Sequence, residues 1–213
     1  MALVLTVAQQ KGGAGKTMLV ANLAAALAAA CRVAALDIDP QKSLARWMAL
    51  RAARPDAAPI VFSDLSGWRV GAEVSRLKHA ADVVLIDSPP QIDTDAKLAV
   101  RSADLVLIPI QPALPDLWAA EGTLHLAASE KRPVMLLMNR APAAGRLRAR
   151  IEAEIAARRL PLLGAALGNR AGFATAFARG LGIAEAAPRS QGAEELRAVL
   201  SALRQVLPLR EIA

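Results

Sequence analysis

The feature that most constrains this chain is the stretch Gln9-Gln10-Lys11-Gly12-Gly13-Ala14-Gly15-Lys16-Thr17. It follows the apolar run Leu3-Val4-Leu5-Thr6-Val7-Ala8 and precedes a long Ala/Leu-rich segment. The order predicts strand, tight loop, helix. Three glycines in four positions let backbone N–H groups turn inward with no Cβ in the way, and a helix starting near Lys16 adds the positive end of its dipole. Such a loop is a cradle for polyphosphate. Lys16 is placed to reach the β and γ phosphates, and the Thr17 hydroxyl to ligate the Mg²⁺ that a nucleoside triphosphate brings with it. A bare glycine-rich turn would have no need of lysines on both sides of the glycines.

The rest of the chain alternates strand and helix signals, which predicts a doubly wound α/β fold: one mostly parallel sheet with helices on both faces, in a single domain over residues 1–213. Residues 18–30 carry Leu19, Leu23 and Leu27 at helical spacing, with alanines that allow close packing on a sheet. Residues 32–37 read as a strand ending in Asp37-Ile38-Asp39-Pro40-Gln41, where alternation puts two carboxylates on one side of an extended segment. These aspartates are candidates for site chemistry or for capping the helix that begins near Gln41. Asp82-Val83-Val84-Leu85-Ile86-Asp87-Ser88-Pro89-Pro90 reads as a strand buried on both faces, with Asp87 at the carboxyl end, where open α/β sheets bind ligands. Asp87 is therefore a candidate Mg²⁺ carboxylate, acting through a water.

These motifs together resemble the ParA/MinD family of deviant Walker ATPases. The ordinary phosphate-loop pattern would place its first glycine at position 10, which is Gln10; Lys11-Gly12-Gly13-Ala14-Gly15-Lys16-Thr17 matches the deviant form instead. The resemblance implies that Lys11 is the signature lysine that crosses a dimer interface, so that a homodimer sandwiches two ATP molecules. It implies that residues 11–18, Met18 included, line the nucleotide, although the family usually has a second Thr where Met18 stands. By the same likeness Asp39 orients the attacking water, while Asp37 supports the Mg²⁺ and Lys16. Catalysis is thus assigned to Lys11, Lys16 and Asp39, metal binding to Thr17, Asp37 and Asp87. Asn139, followed by Arg140 at the end of the strand that starts at Val134, resembles the family's base-recognising Asn. Its amide offers a donor and an acceptor to an adenine edge, though Asn also ends strands for turn reasons alone. Asp116, Leu117 and Trp118 lie in a stretch that faces the dimer partner in the family. For Asp116 and Trp118 an N-cap and a core position are the alternatives.

Charge is unevenly spread. Residues 140–213 hold twelve arginines, no lysine and six glutamates, which accounts for nearly all of the chain's net +7. Such a surplus favours a polyanion, or else reflects arginines on solvated helix faces. The resemblance implies non-specific DNA binding by this end of the ATP-bound dimer, with Arg170, Arg189, Arg197 and Arg204 as candidate phosphate contacts. It further implies slow hydrolysis stimulated by a ParB-like or other adaptor protein, and a cytoplasmic, nucleoid-associated protein that partitions or positions a cargo. No helix-turn-helix precedes the first strand, and no apolar run approaches the ~20 residues of a membrane span. The last helix, residues 193–207, has Leu196, Val199, Leu200, Leu203, Val206 and Leu207 on one side without interfacial aromatics, so membrane attachment is not expected. The lone Cys31 excludes an internal disulfide and disfavours a cysteine-rich metal site. A MinD-like membrane-associated ATPase and a metabolic ligase on the same scaffold are the alternatives. The second requires catalytic groups beyond His79 and His125, neither of which lies near a motif. Trp47 is expected in the core, with Leu44, Met48 and Leu50 on the same buried side of its helix, and Trp68 is expected in the core too, a dimer face being the alternative.

Overall fold

The apolar runs that read as strands all pair in parallel. In a computed structural model that describes residues 2–91 and 93–207, they form a seven-stranded sheet in the order β3-β2-β4-β1-β5-β6-β7. In chain order the elements are β1 (Leu3–Val7), α1 (Lys16–Ala28), β2 (Val33–Asp37), α2 (Ser43–Ala52), β3 (Ile60–Asp64), a 3₁₀ turn (Gly67–Arg69), α3 (Val70–Ala80) and β4 (Val83–Asp87). There follow α4 (Thr94–Ser102), β5 (Leu105–Ile110), α5 (Leu114–Ser129), β6 (Val134–Ala141), α6 (Arg146–Ala157), β7 (Leu162–Gly168), α7 (Ala171–Phe177), α8 (Ile183–Ala186) and α9 (Gln191–Val206).

Both faces of the sheet are covered, which explains the unbroken apolar runs. Alternate residues of one strand serve opposite layers. Val83 and Leu85 of β4 join a core with α1, α2, α7, α8 and α9, while Val84 and Ile86 join one with α3 and Ala99 of α4. Over β5 and β6 the second layer continues with Leu117, Ala120 and Leu126 of α5 and Ile151 and Ile155 of α6. The pairing also sets where the chain turns at the top of the sheet. Val7 lies opposite Asp87, and Asp87 opposite Asp37, so three neighbouring strands finish level.

Trp47 is fully buried as expected, and it joins two helices. Its indole stacks against Phe177 with ring centroids 6.1 Å apart, and the Arg51 guanidinium lies 5.3 Å from the indole centroid. Arg51 is itself buried. It donates to both Glu185 oxygens, at 2.7 and 2.9 Å, and to the carbonyls of Gly180 and Ala58. The chain returning from β7 is thereby fastened to α2.

Three expectations fail for reasons of position. Trp68 is 86% exposed rather than buried. It stands on the 3₁₀ turn that follows edge strand β3, none of whose residues is buried. Leu50 faces solvent at the far side of α2 from Leu44, because burial there is confined to Leu44, Trp47 and Arg51. Val206 is exposed at the last turn of α9, while Leu196, Val199, Leu203 and Leu207 are buried.

Trp47→Ala is expected to lower the unfolding free energy by about 3–5 kcal/mol, as for other large core aromatics. Urea titration followed at constant m-value measures it.

Candidate nucleotide site

The loop between β1 and α1 has the backbone that its glycines permit. Gly13 and Gly15 have φ of +78° and +92°, which side chains with a Cβ rarely adopt. At Gly15 there is a second constraint, because a Cβ would stand 2.6 Å from Asn139 Nδ2. Gly12 has neither restriction. Before the glycines, Gln9 folds back on the loop: its Oε1 accepts from the Gln10 N–H, and its Nε2 donates to the carbonyls of Pro109 and Asp116.

Lys16 is buried, and its Nζ donates to the Gln9 carbonyl at 3.1 Å. Burial holds its pKa below the usual lysine value, opposed by the charges of Asp87 and Asp39. Asp87, on the neighbouring strand, is fully buried, and both its carboxylate oxygens lack a hydrogen-bond partner among the described residues. Its pKa is pushed up to about 8, chiefly by burial, with the Thr17 hydroxyl opposing and Asp37 reinforcing. Buried polar atoms are nearly always satisfied, so two orphaned oxygens beside a threonine hydroxyl and a lysine fit a site completed by a ligand. Among the described residues no three His, Cys, Asp or Glu side chains cluster to hold a metal. A hard cation here needs oxygens from phosphate and water as well, which is the usual habit of Mg²⁺.

The two aspartates of the second motif are used differently. Asp37 accepts from the Asp39 N–H through Oδ1 and from the Ala45 N–H through Oδ2, both at 3.0 Å. It therefore caps the start of α2, the role that remained open in the sequence, and burial raises its pKa against those two bonds. Asp39 accepts from the Gln41 N–H and lines a cavity of about 150 Å³ together with Gly12, Gly13, Lys16 and Thr17. A second cavity, of about 170 Å³, adjoins it; Gly15, Met18 and Arg140 border both. The result is a cleft with a phosphate end and a second end floored by Leu19, Leu167 and Phe173.

Lys11 does not enter the phosphate end. Its Nζ lies 2.5 Å from Asp116 Oδ2; the lysine side chain is 40% exposed, the aspartate 1%. The other Asp116 oxygen accepts from the Gln111 N–H. Asp116 is thus a buried partner of Lys11, neither an N-cap nor a freely exposed contact. Leu117 is buried, and Trp118 is 53% exposed on the same helix. Gln111, Gln41, Ser43 and Pro90 also reach the loop or the cleft. Gln41 and Pro90 belong to the two aspartate motifs of the sequence, whereas nothing in the residue type or spacing of Gln111 or Ser43 marks them.

Asn139 is buried, its Nδ2 donating to the Ala14 carbonyl at 2.8 Å and its Oδ1 accepting from the Arg140 N–H. The arginines named for DNA do not gather at the cleft. Arg170 borders its second end but is tied by one guanidinium edge, Nε and Nη2, to Glu195, which also accepts from the Gly168 N–H. Arg197 donates to the Pro188 carbonyl, and Arg189 and Arg204 are exposed.

A glycine-turned loop at the end of a central parallel strand, a lysine and threonine opening the next helix and a buried carboxylate beside them define a P-loop nucleotide-binding protein. Residues 5–183 match the family described as CobQ/CobB/MinD/ParA nucleotide binding domain, and the chain belongs to that family. It is an ATPase of the ParA/MinD type.

The chain is 27% identical to the maintenance of carboxysome distribution protein A of Halothiobacillus neapolitanus, over 97% of each protein. It is 38% identical to the protein of the same name from Gloeobacter kilaueensis, over 58% of this chain and 56% of that one. Among solved structures, the fold is shared with apo McdA of Cyanothece (TM-score 0.80, 18% identity, 95% of this chain and 100% of that one). It is shared also with the cell division ATPase MinD of Pyrococcus furiosus (TM-score 0.79, 19% identity, 97% and 100%).

The buried carboxylate makes stability depend on pH. Because the folded Asp87 keeps its proton up to about pH 8 and the unfolded one only to about 3.8, the folded state binds more protons between those values. The nucleotide- and metal-free protein therefore loses stability as pH rises from about 4 to about 8. Asp87→Asn removes that loss and is expected to be about 2–5 kcal/mol more stable than wild type at pH 8, while hydrolysing no ATP. Denaturation series at several pH values check the first point and phosphate release the second.

Proposed function

We propose that this chain is an ATP-dependent dimerising switch that partitions or positions a cargo by binding nucleoid DNA without base preference. The observation that carries the reading is the division of labour between its two loop lysines. Lys16 already supplies a buried cation at the phosphate end, so a second loop lysine is redundant within one chain. Lys11 points away from that cavity, half exposed and held only by Asp116. It is available to reach the triphosphate of a second copy, and Asp116 keeps it close to the loop until then. Trp118, exposed two residues on from the Lys11 partner, adds apolar area at this end of α5.

In this reading the backbone N–H groups of residues 12–17 bind the β and γ phosphates, and Lys16 stabilises charge on them. Thr17 and Asp87 would hold a Mg²⁺, Thr17 directly and Asp87 through a water, and the ion would supply charge neutralisation on the phosphates. Asp87 would release its proton to solvent in taking up that role. Asp39, with one oxygen uncommitted at the rim of the phosphate cavity, orients the attacking water. Loss of the γ-phosphate removes the anion that Lys11 holds in the partner and lets the two copies separate. A ParB-like or other adaptor accelerates that step. The relatives' names, carboxysome distribution, ParA and the chromosome-partitioning ATPase Soj, support a cargo-positioning role. A single domain over residues 1–213, acting in the cytoplasm at the nucleoid, fits this use. No helix of the described residues is long and apolar enough to cross a membrane.

For DNA, Arg189, Arg197 and Arg204 are the contacts we retain. Arg197 and Arg204 stand seven residues apart on α9, two turns along one face. Arg170 is assigned instead to holding Glu195 and, through it, the end of β7.

Lys11→Ala is expected to remain a monomer in a non-hydrolysable ATP analogue that makes the wild type dimeric, with stimulated turnover lowered at least tenfold. Sedimentation velocity decides this, and an intact dimer in the variant would refute the sandwich. DNA binding by the ATP-bound form is expected to weaken steeply from 50 to 200 mM salt, and a triple substitution of Arg189, Arg197 and Arg204 by Glu to abolish it; fluorescence anisotropy measures both.

A further inference from the structure

We infer that Arg140 binds the α-phosphate of the nucleotide, and that the extra residue β6 carries at this point serves to aim it. The inference rests on the reading of this cleft as a nucleotide site.

The pairing of β6 with β7 loses its regular count at Arg140. Met138 lies opposite Ala166 and Ala141 opposite Gly168, so three steps along β6 match two along β7. Asn139 and Arg140 fill that bulge. A residue in such a bulge can take the left-handed conformation, for which glycine is the default. Arg140 takes it, with φ of +50°, and its N–H is held by Asn139 Oδ1 at 3.0 Å. Three other non-glycine residues among those described have positive φ. Lys131 and Arg159 follow the ends of α5 and α6, where a left-handed cap is ordinary. Lys42 precedes α2, with its ammonium on the Asp37 carbonyl. Arg140 alone of the four stands inside a strand. A side chain retained on a strained backbone beside a cleft points to a use for that side chain.

Its place in the cleft says which use. Gly15, Met18 and Arg140 border both the phosphate end and the second end. A nucleotide with its outer phosphates in the glycine loop and its base at the second end has its α-phosphate at this junction. The other two residues of the junction bring no side-chain donor, since glycine has no side chain and the Met18 thioether is a weak acceptor at most. Lys16 belongs to the phosphate end, and Lys11 is paired with Asp116. Arg170, the second arginine of the cleft, is tied to Glu195. Arg140 is exposed, and its guanidinium has no ion pair or hydrogen bond among the described residues. A guanidinium offers paired donors to phosphate oxygens, and this one stands uncommitted where a phosphate lacks a cation.

The test measures binding of AMP, ADP and ATP, by competition against a fluorescent ADP analogue, at about 50 and about 400 mM NaCl. Arg140→Ala is expected to weaken all three about five- to tenfold at the lower salt, the worth of a charge-assisted hydrogen bond at an exposed position. The loss is expected to shrink at the higher salt, which screens an exposed ion contact. Arg140→Gly suits the left-handed backbone better, and is expected to melt at a higher temperature than Arg140→Ala while binding as weakly. Should Arg140→Ala fail to fold, Arg140→Gly carries the same comparison with wild type. Affinity that returns with stability in Arg140→Gly would make Arg140 a merely structural member of the bulge and overturn the inference. Unchanged AMP binding with weaker ADP or ATP would move the contact to an outer phosphate, and equal losses at both salts would move it to base or ribose. Either result overturns the inference, as would three unchanged affinities. A wild type that binds none of the three refutes the nucleotide reading of the cleft itself, a result visible without any Arg140 variant.

Discussion

The level ending of β1, β4 and β2 governs everything at the top of this sheet. Parallel strands lie about 4.8 Å apart, so the pairing of Val7 with Asp87 and of Asp87 with Asp37 brings two carboxylates side by side where the phosphate loop begins. All three positions are buried by the layers on either side. Two negative charges that close in a dry setting cannot both be cheaply ionised. Asp37 resolves its part by accepting two backbone N–H groups, one from Asp39 in the following loop and one from Ala45 in the first turn of α2; Asp87 has no such outlet and holds a proton instead. One pleat position earlier or later, the same aspartates would point into apolar layers, and no site would form.

From that floor the loop is fastened outward, mainly to the β5–α5 and β6 side. Gln9 donates to the Pro109 and Asp116 carbonyls, and Lys11 pairs with the Asp116 carboxylate. Gln10 lies so close over α5 that a Cβ on Gly122 would meet its amide nitrogen at 1.7 Å. Three consecutive residues before the glycines thus lean on the β5–α5 corner and the helix itself. A shift of α5, which carries the exposed Trp118, cannot leave Lys11 where it is, and extraction of Lys11 bares a carboxylate that is 1% exposed. Uncovering such a charge costs several kcal/mol, so Lys11 leaves Asp116 only for another strong anion, and a triphosphate qualifies.

Most of this was legible in the sequence wherever chemistry depends on neighbours along the chain. The glycine turn, Lys16 and Thr17, the strand-ending aspartates and the alternation of elements all rest on local spacing, and the structure assembles them at one edge of the sheet. What the sequence could not show depends on which strands become neighbours. The Lys11–Asp116 pair spans 105 residues and the Asn139–Ala14 bond 125; neither residue type announces its partner. Trp68 illustrates the opposite failure. Average burial of tryptophan says nothing about a turn beyond an edge strand, where β3 has β2 on one side and no strand on the other among the described residues. Asn139 lies between the two cases: its residue type marks it in the sequence, but only the fold brings the Ala14 carbonyl within reach of its amide.

The same distinction applies to charge. The arginine count of the last third reads, as a number, like one basic surface, yet three of its twelve arginines are paired in place. Arg148 pairs with Glu152, Arg158 with Glu154 and Glu121, and Arg170 with Glu195. These are i,i+4 and interelement pairs at partly exposed positions, each worth little to stability, but each removes a cation from the field a distant polyanion meets. What remains without an ion pair among the described residues includes Arg189, Arg197 and Arg204 around α9, and Arg140, Arg146 and Arg150 around the start of α6. At physiological salt, charges farther apart than about 8 Å are largely screened from one another. Under the proposed DNA binding, a phosphate backbone would therefore meet several local clusters of cations rather than a sum of +7. Binding that is weak for one chain becomes useful when two chains present their clusters together, because the second contact is then made at high effective concentration. The uneven placement of arginine would thus matter to the proposed dimer more than to one chain alone.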